Sequence, residues 1–315
     1  MSGTSDYLSK TTTPCPASLL DLARAGNTPR VAIARAGAPL PMQAAQEGVN
    51  AGIMRPIFVG EQADILSEAK TLNWDISEFE IIDTNGEAEA AKTAAELCGA
   101  GDADVLMKGQ LHTDVFMKNA LSRDAGLRLG ARFVHLFALY SGGAETPVVV
   151  SDAAVNVSPD LDTRKDATRA VVRLLHAHGI RTPKVAYLSA TESPIPSVPN
   201  SIEARELRDW ATAQVPNAQF SGPLALDLIF SEKSRDIKGL QDDPVAGNAD
   251  AIIVPDITSG NTLFKSMVYL GGACAAGLVV GGKVPMLLTS RADSADARLA
   301  SVALASVWSN ISDQE

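Results

Sequence analysis

Cysteine is scarce. Cys15, Cys98 and Cys274 are the only three in 315 residues, no two of them have CxxC spacing, and no histidine stands near them at metal-ligand spacing. That argues against a disulfide framework and a zinc site, and leaves them as small buried apolar residues. Positive charge is short as well, since 27 Lys and Arg against 37 Asp and Glu give a net charge of −10. Neutralising a nucleic-acid backbone needs a basic face, so non-specific DNA or RNA binding is not expected, and any anionic ligand must be held by a few local cations. Long hydrophobic runs are also missing. No stretch approaches the roughly 18 uninterrupted apolar residues of a membrane span. The N-terminal "MSGTSDYLSKTTTPCPASLL" lacks both the basic lead and the apolar stretch of a secretory signal. A cytoplasmic location without a membrane partner is the expectation, with residues 1–25 an unassigned lead and initial helix.

Several motifs are absent too. There is no GxxxxGK[ST] phosphate loop, no GxGxxG between a strand and a helix, and no GxSxG nucleophile elbow. P-loop chemistry, a standard dinucleotide site and an acyl-enzyme hydrolase are therefore not supported.

What is present is a regular alternation. Short β-branched runs read as strands at 31–36, 55–60, 79–83, 104–109, 133–139, 147–153, 184–190, 251–256, 277–282 and 285–290. Several are apolar at every position, as in strands buried on both faces of a parallel sheet. Between them, "GEAEAAKTAAELCGAG" and "DTRKDATRAVVRLLHAHG" combine good helix formers with a terminal glycine. The fold class is α/β. Turn chemistry at 151–165 places a domain crossing there, giving a first domain of 1–150 plus 288–315 and a second of 151–287. A proline-rich loop before Asn200 feeds a helix, with Glu203 three residues on completing a capping box.

Ligands of parallel α/β sheets bind beyond the carboxyl ends of the strands. Here those ends are polar: Lys108-Gly109 followed by His112-Thr113, Ser151-Asp152, Ser189 with Thr191-Glu192, Asp256 with Ser259-Gly260-Asn261, and Thr289-Ser290-Arg291. Lys108 is a compact charge suited to phosphate, or a solvated turn lysine; Gly109 lets a backbone come close to a ligand. His112 can donate to a phosphate or carbonyl oxygen, or simply start a helix. "TSGN" leads to a helix expected near Thr262, whose free N–H groups suit phosphate, unless Asn261 or Thr262 is a plain cap. "GPLALDLIF" lines an acyl pocket or is ordinary core. "LVVGGKVP" reads as a tight turn. Ser290 and Arg291 place a hydroxyl donor beside a planar guanidinium fork, with Asp293 or Ser294 capping the next helix. These residues describe an anion-handling enzyme.

The blocks "LMKGQLHTDVFMKNALSRDAGLR", "SDAAVNVSPDLD", "GPLALDL" and "PDITSGNTLFKSMVYLGGACAAGLVVGGKVPMLLTSRADS" also resemble, in order and at natural spacing, the motifs of the phosphate acetyltransferase and phosphate butyryltransferase family, from about residue 40 to about 308. The resemblance implies reversible transfer of a short acyl group between CoA and inorganic phosphate through a direct ternary complex. It implies two α/β domains of mostly parallel sheet, isocitrate/isopropylmalate dehydrogenase-like, with the last helix returning to the first domain and the active site in the interdomain cleft. It also implies a homodimer or higher homo-oligomer, with no metal or bound organic cofactor because CoA is a substrate. Ser290 and Arg291 match the family's catalytic pair without a gap. The family's acetyltransferase carboxylate falls at Ala297, with Asp296 one position short; the butyryl-type Ser-Arg-Ala-Asp-Ser reading makes Asp293 the base. Lys108, His112, Thr113, Ser259, Gly260, Asn261 and Thr289 are the expected substrate-binding residues. An acyl carrier protein:phosphate acyltransferase and a non-catalytic CoA- or acyl-phosphate-binding regulatory relative are the alternatives.

Overall fold

The computed structural model describes residues 6–288 and 293–311. In chain order the first half runs α1 (Ala17–Arg24), β1 (Arg30–Ala34), α2 (Pro39–Asn50), β2 (Arg55–Gly60), α3 (Gln62–Thr71), β3 (Glu80–Asp83), α4 (Gly86–Ala100), β4 (Val105–Lys108), α5 (Thr113–Ala120), β5 (Val134–Tyr140) and β6 (Val148–Ser151). It continues with α6 (Leu161–Ala177), β7 (Lys184–Leu188), α7 (Pro199–Gln214), β8 (Gln219–Leu224), α8 (Leu226–Phe230), α9 (Glu232–Ile237), β9 (Ala251–Ile253) and α10 (Ile257–Lys265). A π-helical turn (Ser266–Leu270), β10 (Cys274–Val280), β11 (Met286–Leu287) and α11 (Ala295–Ser309) follow. Two compact units result: Met1–Thr13 with Arg132–Ala275, and Pro14–Ala131 with Ala276–Glu315.

In the unit built on Pro14–Ala131, strands run β3-β2-β1-β4-β11, all parallel, and β10 pairs antiparallel with β11 through Val279 and Met286. The tight turn expected at "LVVGGKVP" is the reversal between β10 and β11, where Gly281 takes φ 106°. Val31 to Ala34 and Pro56 to Gly60 are buried at every position, the pattern of strands covered on both faces. Helix α4 covers β1, β2 and β4, presenting Ala90, Ala91, Ala94, Ala95 and Cys98 as its buried face. Gly101 ends it with φ 88°, a left-handed conformation that costs glycine little. Helix α11 packs on α1 and α2, and Asp296 in its first turn accepts the Cys15 N–H at 2.9 Å.

In the unit built on Arg132–Ala275, β5 pairs antiparallel with β6, and β6, β9, β7 and β8 run parallel. Strand β8 falls outside the strands expected from the sequence, in which Gly222-Pro223 only opens an apolar segment. It lies at the end of this order, where a missing N–H is tolerated, and a side chain at Gly222 would meet the Tyr187 Cβ at 2.7 Å. Two further expectations need correction. Helix α10 starts at Ile257 rather than near Thr262, since the Asp256 carboxylate caps it by accepting the Ser259 N–H at 2.8 Å; neither Asn261 nor Thr262 is the cap. Glu203 makes no capping box: α7 starts at Pro199, where proline suits the first helical position, and Glu203 pairs with the buried guanidinium of Arg164.

Candidate active site

The chain runs β1, β2, β3 in one direction and then returns to place β4 on the other side of β1. The carboxyl ends of β1 and β4 therefore flank a topological switch point, where open α/β sheets bind their ligands. In register, Ala34 stands beside Lys108, the last residue of β4. The next residue of the turn, Gly109, donates its N–H to the Ala34 carbonyl at 2.9 Å. A Cβ at Gly109 would lie 2.5 Å from the carbonyl oxygens of both Ala34 and Arg35. The glycine is thus explained by its contact with β1, without a ligand.

Arg35, which sequence reasoning passed over as part of a strand, leaves β1 with φ 55°. Its Nη1 donates to Glu87 Oε1 at 3.1 Å and to the Gln110 carbonyl at 3.3 Å, and its Nε lies 3.5 Å from Glu61. Burial alone would push the Glu61 carboxyl up, but backbone N–H donors, including that of Gly86, and the Arg35 guanidinium outweigh it and hold the group low. His112 stands at the N-cap of α5 and meets the same network. Its backbone N–H donates to Glu87 Oε2 at 3.0 Å, and its ring Nδ1 lies 3.0 and 2.9 Å from the two Glu87 oxygens. The His112 backbone and ring donors, with Arg35 behind them, hold the Glu87 carboxyl below its ordinary range. Thr113 is the exposed first residue of α5.

Strand β11 lies beside β4 in parallel register, Met286 against Leu106 and Leu287 against Met107. Strand β11 therefore ends at the same carboxyl side of the sheet where Lys108 ends β4. Thr289, Ser290 and Arg291, expected to carry the chemistry, lie outside the described residues. On their far side the Asp293 carbonyl accepts from Nη1 of buried Arg298 at 2.6 Å, and Ser294 caps α11 by accepting the Ala297 N–H at 3.2 Å.

In the other unit, the motifs "SDAAVN" and "TSGN" meet. The buried Asp152 carboxylate accepts from the backbone of His135, Ala154, Val155 and Asn156 and from Asn156 Nδ2. Gly260, in the first turns of α10, lies so close to this loop that a Cβ would be 2.7 Å from the Asp152 carbonyl. Asn261 Nδ2 donates to the Ala153 carbonyl at 3.3 Å, and the Ser259 hydroxyl to Asp256 at 3.0 Å. Two other polar strand ends are held structurally: Ser189 donates to Asn200, and Glu192 pairs with Lys238. Among the described residues no cluster of His, Cys, Asp and Glu has the makings of a metal site. Burial pushes the Cys15 thiol up to about 11 and the Cys98 thiol to about 12, which leaves neither a nucleophile at neutral pH.

A parallel α/β unit that collects an arginine, a lysine and a carboxylate-bound histidine at its switch point belongs to the class of anion-handling α/β proteins. A family model described as phosphate acetyl/butaryl transferase matches residues 87–306. A phosphate acetyltransferase of Rhizobium meliloti is 38% identical over 263 residues, 83% of each chain. A phosphate butyryltransferase of Clostridium acetobutylicum is 34% identical over 279 residues, 88% of this chain and 92% of its own. A branched-chain phosphotransacylase structure from Enterococcus faecalis V583 superposes with a TM-score of 0.76 at 29% identity, covering 88% of this chain and 98% of that one. The chain belongs to the phosphate acetyl/butyryl transferase family.

Proposed function

We infer that this chain is an acyltransferase that moves a short acyl group reversibly between CoA and inorganic phosphate. The observation that supports the reading beyond family membership is the parallel pairing of β11 with β4, which sets Leu287, three residues before Ser290 in the sequence, beside Met107, the neighbour of Lys108. On this reading Arg291 holds phosphate through its fork of donors, and the Ser290 hydroxyl donates to the oxyanion that develops on the carbonyl. Asp293 supplies a carboxylate beside them. Lys108, Thr113 and Thr289 add contacts to the anionic parts of the substrates.

No covalent acyl-enzyme is required. Two bound substrates in attack geometry gain the entropic advantage of proximity, and the phosphate oxygen attacks the polarised carbonyl directly as the C–S bond breaks. The test is to incubate the protein with acetyl-CoA or butyryl-CoA and follow free thiol with and without phosphate. Phosphate-dependent release is expected with at least one donor, and its absence with both removes the reading. Ser290→Ala and Arg291→Gln should each lower turnover by about a hundredfold or more, as for loss of one oxyanion donor; near-normal rates in both would take these residues out of the chemistry.

A further inference from the structure

We propose that His112 is the proton-transferring residue of the reaction, its imidazole oriented by Glu87 so that Nε2 meets the CoA thiol. The inference rests on the acyl-transfer reading above and adds a catalytic group to it.

The tautomer follows from the geometry. Glu87 is held in its ionised form by the His112 and Arg35 donors, and an ionised carboxylate only accepts hydrogen bonds. Nδ1, 2.9 Å from Oε2 and 3.0 Å from Oε1, is then the nitrogen that carries the proton in the neutral ring, whose lone pair is on Nε2. The carboxylate is itself fixed twice more, by the His112 N–H and by Arg35 Nη1, so the Nδ1 side of the ring is held in place. Yet the His112 side chain is 73% exposed, whereas the carboxylate that holds it is 24% exposed. A base held by a third group and open on its other side is the arrangement of an oriented general base.

Its place in the fold suits the role. His112 caps α5 four residues past Lys108, the last residue of β4, and β4 pairs in parallel with β11. Two other described carboxylates have partners of their own: Asp296 accepts the Cys15 N–H, and Glu61 binds Gly86 N–H and Arg35.

In the acyl-CoA-forming direction, Nε2 takes the proton of the CoA thiol. The sulfur electron pair forms the C–S bond to the acyl carbon as the C–O bond to phosphate breaks. The proton then passes from Nε2 to the departing phosphate, so that CoA thiol and acyl phosphate dianion give acyl-CoA and hydrogen phosphate dianion, with the imidazole neutral again. The reverse direction uses the imidazolium to protonate the leaving thiolate.

The experiment measures kcat, both KM values and the pH profile for CoA and acyl phosphate in the wild type and in His112→Gln, His112→Ala and Glu87→Gln. His112→Gln should lower kcat by about a hundredfold and leave both KM values within about threefold, because it removes a proton-transfer group and no ground-state contact. The acid limb of the kcat profile, where the imidazole is protonated and idle, should vanish with it. The charged groups the structure sets against the ring and its holder are Glu87 from α4, bonded to Nδ1, and Arg35 from the end of β1, bonded to Glu87. The limb must therefore be lost in His112→Gln and survive in Asp293→Asn. Added imidazole should restore turnover to His112→Ala, and Glu87→Gln should lower kcat less than His112→Gln does. Thermal midpoints near that of the wild type identify the variants as folded. Four results would overturn the proposal: a kcat in His112→Gln within about twofold of wild type, a loss confined to KM, an acid limb that follows Asp293, or a folded His112→Ala that imidazole does not rescue. An inactive wild type would overturn the acyl-transfer reading and this proposal together, whereas an active wild type with a normal His112→Gln would remove the proposal alone.

Discussion

Two polar clusters follow apolar strands in this chain, and they differ in what their carboxylates have left to give. Asp152 is buried and its two oxygens accept five hydrogen bonds, four from backbone N–H groups and one from Asn156 Nδ2. Glu87 instead ties together two side chains that carry chemistry, Arg35 and His112, and leaves one of them largely exposed. The first cluster organises a loop and presses it against α10. The second orients a titratable ring at a switch point. Burial and the identity of the donors separate architecture from catalysis here, and residue type alone does not.

If that division holds, the Asp152 cluster should be broken through stability and the Glu87 cluster through turnover. The largest effect is expected from Asp152→Ala. It leaves buried backbone donors without an acceptor, at a cost of at least about 3 kcal/mol, and urea unfolding should show the loss. A loss under about 1 kcal/mol would mean that the carboxylate is not what holds the loop. A smaller effect is expected from Gly109→Ala, whose added carbon meets two backbone oxygens that cannot rotate away. Overpacking of this kind costs about 1–3 kcal/mol. Because Gly109 starts the turn that carries His112, turnover should fall too, in a protein that is still folded at assay temperature. Unchanged turnover would separate the turn from the chemistry.

The sequence shows most strongly what periodicity and strand ends can encode. Apolar runs marked β1, β2 and β4, and helix formers closed by glycine marked α4 and α6, since these signals are local. Strand β8 escaped because Gly222-Pro223 denies a strand unless its edge position is known. The start of α10 was misplaced because Asp256 ends one element and caps the next, and local reading assigned it only to the first. Lys108 and His112 were legible as polar residues after a strand. Glu87 was not, because it lies 25 residues before His112 and reads as one of several glutamates in an alanine-rich helix. Arg35 was hidden similarly, at the end of an apolar run whose left-handed backbone only the structure reveals.

The finest test of the comparison is a pH effect on folding. His135 lies on β5 beside Asp152, fully enclosed, its ring 4.1 Å from that of Phe137, which stacks at 3.8 Å on Phe264 of α10. Burial pushes its pKa down to about 4, with the Asp152 charge opposing the shift. The imidazole is therefore neutral in the folded protein at pH values where the unfolded chain, with an ordinary histidine value near 6.5, already takes up a proton. The unfolded state binds more protons below about pH 6.5, so stability rises with pH there and falls as pH is lowered from about 6.5 toward about 4. Between pH 7 and pH 6 this amounts to less than about 1 kcal/mol, and the slope steepens toward pH 5. Thermal midpoints measured across this range should decline in the wild type and flatten in His135→Phe, which keeps an aromatic ring without a titrating nitrogen. The same substitution should leave the acid limb of turnover in place, because that limb is assigned to His112 in the other unit. A decline as steep in His135→Phe as in the wild type would move the proton uptake to another group, and a lost kinetic limb would erase the distinction between the buried cluster and the exposed one.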